Sequence, residues 1–305
     1  MPETTSRLIK YLDPDAVARI AAVGFKPSNR VEGSRVGNHR SPFHGFAVEF
    51  AGHRQYVPGD DPRHIDWKVY YKAGRYMTKQ YELETNFVAH LVIDVSESMK
   101  FAYRSGSKAD YAAFVGVALA HAVVAQSDQA AVTFFAEQAL ETFPPSNADE
   151  VPDKISRYME HAPLKDRTSI GSVLSLLAER IGRRKVVFVI SDFFGDVDAT
   201  FDGVKRLADN KNEVILLHLL DPLEIDFSYP GRVELIELEG TRRDTFEGRD
   251  IRDSYNELFG KYLERMREES RRHQVDYVRC STGENFGITL AKYLNTRSLG
   301  QGGRT

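Results

Sequence analysis

Three oxygen-bearing side chains stand at alternate positions in Asp94-Val95-Ser96-Glu97-Ser98, directly after the apolar run Val88–Ile93. One carboxylate and two hydroxyls are hard ligands, suited to Mg2+, Mn2+ or Ca2+ and poorly suited to thiophilic metals. Two further donors stand where such a site needs them: Thr168, in the loop that opens a helix, and Asp192, immediately after the apolar run Lys185–Ser191. If the strands carrying Asp94 and Asp192 are neighbours, both carboxylates project from one edge of a sheet. Asp94, Ser96, Ser98, Thr168 and Asp192 then converge on a single cation. The competing local reading is that Asp94 and Ser96 cap a turn and Asp192 caps the next helix, which Asp and Ser often do. The strand context and the two extra donors favour the metal.

Other chemistries on such a sheet lack their residues. A haloacid-dehalogenase-type phosphatase needs a second aspartate two positions after its nucleophile, where Ser96 stands. No Gly-x-Ser-x-Gly elbow follows a predicted strand, and there is neither a phosphate-binding Gly-x-x-x-x-Gly-Lys-Ser/Thr loop nor a Gly-x-Gly-x-x-Gly helix opening. The nine histidines form no His-Glu-x-x-His pair, and His39, His44, His53 and His64 stand singly, expected to be solvated or hydrogen-bonded rather than bound to zinc. No catalytic residue is expected.

Strand and helix patterns alternate from about residue 88, which predicts an α/β fold with a doubly wound, mostly parallel, Rossmann-like sheet. The predicted strands are Val88–Asp94, Ala130–Phe135, Lys185–Ser191, Glu213–Leu219 and Val275–Cys280, each read as central, with short ones at Leu140–Phe143 and Val233–Leu238. In such sheets ligands bind beyond the carboxyl ends of the strands, at the switch point, which is where Asp94 is expected. Ser107 and Asp110 have capping-box spacing ahead of the apolar run Tyr111 to Val124. A second helix starts near Thr168–Ser169 and repeats Val173, Leu174, Leu177 and Ile181. The longest starts near Ser254 and lays Tyr255, Leu258, Phe259, Tyr262, Leu263 and Met266 on one stripe, read as core packing.

The 305 residues are 42% hydrophobic and 28% charged, enough for one large core and a smaller annex. Net charge is -3: residues 1–90 hold 13 Lys/Arg against 10 Asp/Glu, a surplus of +3 that leaves -6 for the remainder. Neither part suggests a nucleic-acid surface. The lone Cys280 cannot close a disulfide and is expected as a small core residue in a reducing compartment. No run approaches the roughly 20 apolar residues of a membrane span, so a cytoplasmic protein without a transmembrane segment is expected.

The first 85 residues differ. A short helix opens at Asp13-Pro14 with Val17, Ile20 and Ala21 as its apolar residues. Single aromatics among glycines follow, then a turn at Pro58-Gly59-Asp60-Asp61-Pro62 and an alternating segment from Tyr76 to Leu83. The expected organisation is a β-rich annex over 1–85, the sheet domain over 86–298 and a flexible tail over 299–305. Arg54, Arg63, Asp60, Asp61 and Asp66 can form an ion-pair network, and Trp67, the sole tryptophan, can bury its face against the main sheet; a tight turn with domain-docking contacts is favoured over direct partner recognition.

The runs Gly45-Phe46-Ala47-Val48-Glu49-Phe50 and Arg54-Gln55-Tyr56-Val57-Pro58-Gly59-Asp60-Asp61-Pro62-Arg63-His64-Ile65-Asp66-Trp67-Lys68 resemble the signature of the bacterial domain of unknown function 58 family, in which it precedes a von Willebrand factor A-like domain. The four loops around Asp94 similarly resemble the metal-ion-dependent adhesion site of that domain. By this resemblance Ser96 and Ser98 hold the ion directly, Thr168 directly or through water, and Asp94 and Asp192 mainly through water. An open coordination position then takes a carboxylate from a protein partner. The family resemblance implies a MoxR-type AAA+ ATPase, or its client, as that partner, in a chaperone-like assembly system. Many relatives carry membrane helices ahead of the signature, whereas a short helix stands there in this sequence. The expected function is metal-dependent protein binding, not catalysis. The alternatives are a metal-dependent phosphoesterase-like enzyme and a metal-independent scaffold.

Overall fold

Alternating strand and helix signals produce a three-layer arrangement in the computed structural model, which describes residues 10–25, 27, 36–40, 48–58, 60–85, 87–103, 106–164, 169–229, 231–236 and 243–301. The elements in chain order are α1 (Pro14–Val23), β1 (Val36–Arg40), β2 (Val48–Gln55), α2 (Trp67–Ala73), β3 (Met77–Thr85), β4 (Val88–Asp94), α3 (Lys108–Ala125), β5 (Gln129–Phe135), β6 (Ala139–Ser146), α4 (Glu150–His161) and α5 (Ile170–Ile181). There follow β7 (Val186–Ser191), α6 (Val197–Asp209), β8 (Glu213–Leu220), α7 (Pro222–Asp226), β9 (Arg232–Ile236), β10 (Arg243–Glu247), α8 (Gly248–Arg272), β11 (Asp276–Ser281) and α9 (Phe286–Gln301).

The six-stranded sheet has the order β11-β8-β7-β4-β5-β6. β4 pairs in parallel with β5 and β7, β7 with β8, and β8 with β11, while β6 closes the far edge antiparallel to β5. The winding runs outward from β4 through β5 to β6, then crosses back to β7 and runs the other way, so the topological switch point lies between β4 and β7. Asp94 ends β4 and Asp192 follows β7, so the fold alone brings the two carboxylates to one edge.

Every residue of β4, β7 and β8 is buried, which is what both-face coverage demands of apolar, β-branched strands. Ala89, Leu91 and Ile93 face a core shared with α1, α3, α4 and α9, whereas Val92 faces one shared with α5, α6 and Met266 of α8. α3 has the length and mean hydropathy (1.3) of a membrane span, yet 78% of it is buried inside the fold. The Ser107–Asp110 capping box forms as its pattern predicts. Cys280 is buried, as expected.

Several elements depart from expectation. β11 is an edge strand, and of its six residues only Cys280 is fully buried, because it pairs with β8 alone. α1 buries Ala16 rather than Ala21, together with Val17 and Ile20, and packs on α9 and α3, so its side chains join the core of the large sheet. α8 begins at Gly248, ahead of Ser254, and its stripe is narrower than the spacing suggests. Met266 is its one fully buried member, Tyr255, Phe259 and Tyr262 are half-buried and stack in series, and Leu258 stands 68% exposed. α9 runs through Gln301, beyond the expected start of the tail, and residues 302–305 lie outside the described ones.

One buried group makes stability depend on pH. His90 of β4 meets Thr133 Oγ1 at 2.8 Å, and burial pushes its pKa down to about 4. The native imidazole stays neutral while the unfolded chain takes up a proton below about pH 6.5. Stability present above that value should therefore drain away down to about pH 4, by on the order of 3 kcal/mol. Urea midpoints at neutral and acid pH, compared with those of His90→Gln, measure this contribution; identical pH slopes for the two proteins would contradict it.

Candidate metal centre

Two buried carboxylates, two hydroxyls and one ammonium meet beyond the ends of β4 and β7. Asp94 is fully buried; its Oδ1 accepts the Ser96 N–H at 2.9 Å and its Oδ2 accepts the Ser191 hydroxyl at 2.6 Å. Ser191 Oγ in turn accepts the Phe193 N–H at 2.9 Å, so the ends of the two strands are tied together by side chains. Ser96 precedes the short turn Glu97–Lys100 but its hydroxyl caps nothing there; it lies 3.1 Å from Ser98 Oγ. Ser98 also lies beside Asp192 and helps hold its carboxyl pKa down. Asp94, Ser96, Ser98 and Asp192 are thus one cluster, while Thr168 lies outside the described residues.

Asp192 does not cap the next helix. That work falls to Asp196, which accepts the Asp198 and Ala199 N–H groups. Asp192 Oδ1 accepts only the Phe194 N–H, at 3.2 Å, and its Oδ2 receives Lys108 Nζ at 2.6 Å. Lys108, the first residue of α3, is almost wholly buried and also donates to Glu224 Oε1 at 2.8 Å. Lys108, Glu224 and Ser191 are the cluster members that sequence reasoning passes over. The available signal was a lysine opening an otherwise apolar helix directly after a capping serine.

Charge is unevenly matched here. Burial, then the field of Asp192, pushes the Asp94 pKa up to about 7 against the Ser191 and Ser96 hydrogen bonds. Burial would raise Asp192 too, but the Lys108 ammonium outweighs it and holds the carboxyl below the usual range. Lys108 is raised, because Asp192 and Glu224 outweigh the burial that opposes its charge. Burial raises Glu224. Fully ionised, three carboxylates against one ammonium would leave two negative charges at the rim, the amount one divalent cation neutralises; without a cation, Asp94 is partly protonated near neutral pH.

The donor set fits such an ion. Neighbouring ligands of an octahedral Mg2+ at about 2.1 Å stand about 3 Å apart, close to the 3.1 Å between Ser96 and Ser98 Oγ. Among the described residues no three His, Cys, Asp or Glu side chains gather as a metal site. An ion here would meet two hydroxyls and two carboxylates among the described residues, hard oxygen donors suited to Mg2+ or Ca2+.

The loop after Asp192 is bent to display a side chain. Phe193 has φ 49°, a left-handed conformation costly for a bulky residue, and is held there by the Tyr262 hydroxyl on its carbonyl at 2.7 Å and by its buried ring. Its neighbour Phe194 is 69% exposed beside the carboxylates.

The annex signature is built as a turn and a short helix. Arg54 pairs with Asp60 at 2.8 Å, Asp61 accepts the Arg63 N–H, and Asp66 caps α2 while binding His53 at 2.8 Å. Trp67, expected against the main sheet, is 52% exposed and meets Tyr70 edge-on, because α2 buries none of its residues.

Residues 52–265 match the profile of a family described as Protein of unknown function DUF58. Uncharacterized proteins of Mycobacterium bovis (Mb1516) and Mycobacterium tuberculosis (Rv1480) are each 24% identical over 230 residues, 74% of this chain and 72% of theirs. Similar solved structures include the conserved hypothetical protein BatB from Bacteroides thetaiotaomicron, with TM-score 0.44, 14% identity, and 70% of this chain against 99% of that one. An aerotolerance-related membrane protein from Bacteroides fragilis gives 0.43, 17%, 69% and 98%. The SpRpn10 VWA domain gives 0.33, 17%, 44% and 76%.

Proposed function

This chain belongs to the family described as Protein of unknown function DUF58, and from that premise we propose that it is a protein-binding module whose rim between β4 and β7 takes a divalent cation and captures a carboxylate of its partner. The observation that carries this reading is the acid excess of buried Asp94 and Asp192 and half-buried Glu224 over Lys108 at the switch point of the sheet. Ser96 and Ser98 would be direct ligands, Asp94 and Asp192 would act mainly through water, and Thr168 completes the proposed set. A bound Mg2+, or Mn2+ or Ca2+, would supply a Lewis-acidic coordination position for the incoming carboxylate. The chain's own groups do the rest: Ser191 and the Ser96 N–H hold Asp94 in orientation, and Lys108 holds Asp192 ionised. The partner is assigned as a MoxR-type AAA+ ATPase or its client, an assignment that rests on the family resemblance.

Asp94→Ala is expected to abolish Mg2+-dependent capture of a partner while leaving the circular dichroism spectrum unchanged. Pull-downs with Mg2+ and with chelator, followed by mass spectrometry, check it. Equal capture in chelator would sink the metal and favour a metal-independent scaffold, a reading to which Lys108 already lends a resident cation. Metal-dependent hydrolysis of a phosphate ester would replace binding by catalysis. A smaller effect belongs to Phe194: its exposed ring, close to the Asp192 rim, would pack beside the captured carboxylate, and Phe194→Ser should weaken capture about tenfold without lowering the melting temperature. Unchanged affinity would remove the ring from the interface.

A further inference from the structure

The annex presents a second surface that the rim does not explain. α2 has seven residues and none of them is buried. That is well short of the roughly 12–15 residues an isolated helix needs. It is held by its ends instead, through the Asp66 cap, Gly74 in the left-handed conformation, and Tyr70 stacked on Tyr76 at 4.5 Å. What remains outward is apolar and aromatic: Tyr71 is 84% exposed, Val57 53%, Trp67 52% and Tyr76 48%. The rings form one connected series, Tyr56 to Tyr76 to Tyr70, with Trp67 and Tyr71 on either side of Tyr70.

The side chains of the platform itself carry only positive charge. Residues 67–80 include Lys68, Lys72, Arg75 and Lys79 and no Asp or Glu. The nearby carboxylates are engaged: Asp60 with Arg54, Asp61 with the Arg63 N–H, and Asp66 with the cap and His53. Lys68, Lys72 and Arg75 make no salt bridge among the described residues, and all three are exposed. Tyr and Trp supply large contact area at small entropic cost, and interface hot spots are enriched in them.

From this juxtaposition we infer that the α2 platform docks an acidic peptide segment of a partner protein, its aromatic or other apolar side chains lying on Trp67 and Tyr71 and its carboxylates on Lys68, Lys72 and Arg75. A single-stranded nucleic acid also likes rings among cations. The three cations Lys68, Lys72 and Arg75 are few for a polyphosphate track, and the exposed Val57 adds an aliphatic contact suited to a peptide side chain.

Trp67 is the only tryptophan, so its emission reports on the platform alone. The full chain, kept in chelator so that the rim plays no part, is titrated with a Glu-rich synthetic peptide containing Phe, with oligo-dT, and with phosphatidylserine vesicles. The expected result is a saturable blue shift with the peptide, weakened by salt, and about tenfold weaker binding for Tyr71→Ser and for Lys72→Glu. Both substitutions are at exposed positions, and a thermal melt shows whether each variant is folded; should one be unfolded, the other decides. No response to the peptide, an unchanged response in the folded variants, or tighter binding of oligo-dT or vesicles would overturn the inference.

Discussion

Lys108→Met should cost about 3–5 kcal/mol of folding stability in chelator, and Mg2+ should return a large part of it. The substitution keeps the volume of the stem but removes the ammonium from Asp192 and Glu224, at 2.6 and 2.8 Å. Both carboxylates then stay at the rim without a counter-charge, next to Asp94, whose own ionisation is already opposed by burial and by Asp192. The native state must protonate one of them or admit a cation. A site built to take a divalent ion gains affinity when its internal competitor is removed. Mg2+ should therefore stabilise Lys108→Met by more than it stabilises the parent, in proportion to the logarithm of its concentration above Kd. Urea unfolding of both proteins with Mg2+ and with chelator gives the four free energies. An equal loss under both conditions would leave Lys108 as an ordinary buried ion-pair partner and weaken the case for the metal.

The same residue shows where sequence reasoning stops. Asp94, Ser96 and Ser98 were legible because their spacing is local, and Asp192 was legible because a parallel sheet carries the residue after one strand to the edge reached by its neighbour. Lys108 was not, because its role depends on the 84-residue separation from Asp192 being closed by the path of α3 back across the sheet. Glu224 reaches the cluster only because the Asp221–Glu224 capping box opens α7 there. The strands of the sheet were legible from apolar runs, apart from the exposure of β11, which reflects its place at the edge and not its composition. Trp67 misled for a different reason: a large apolar side chain usually predicts burial, and here α2 turns it outward.

Three Gly→Ala substitutions in helices should separate in sign and size, and the largest should reach the rim. In Gly171, the second residue of α5, an added Cβ would stand 2.2 Å from the Ala199 carbonyl oxygen in the first turn of α6, and the facing Gly203 leaves its own Cβ position 2.7 Å from the Gly171 oxygen. Both obstacles are backbone, so the helices must part, at about 1–3 kcal/mol or more. In Gly116 of α3 the Cβ meets the flexible end of Ile93 at 2.8 Å, which can turn aside at smaller cost. In Gly260 of α8 it meets nothing within 4 Å, and the better helix former should stabilise by about 0.5–1 kcal/mol. The Gly171 contact also sets the loop from Asp192 to the Asp196 cap, because α6 carries that loop's far end. Gly171→Ala should therefore lose partner capture under conditions where it is still folded, while Gly116→Ala keeps it. Loss of stability without loss of capture in Gly171→Ala would show that the rim tolerates displacement of α6, and the tight geometry assigned to Asp192 would have to be given up.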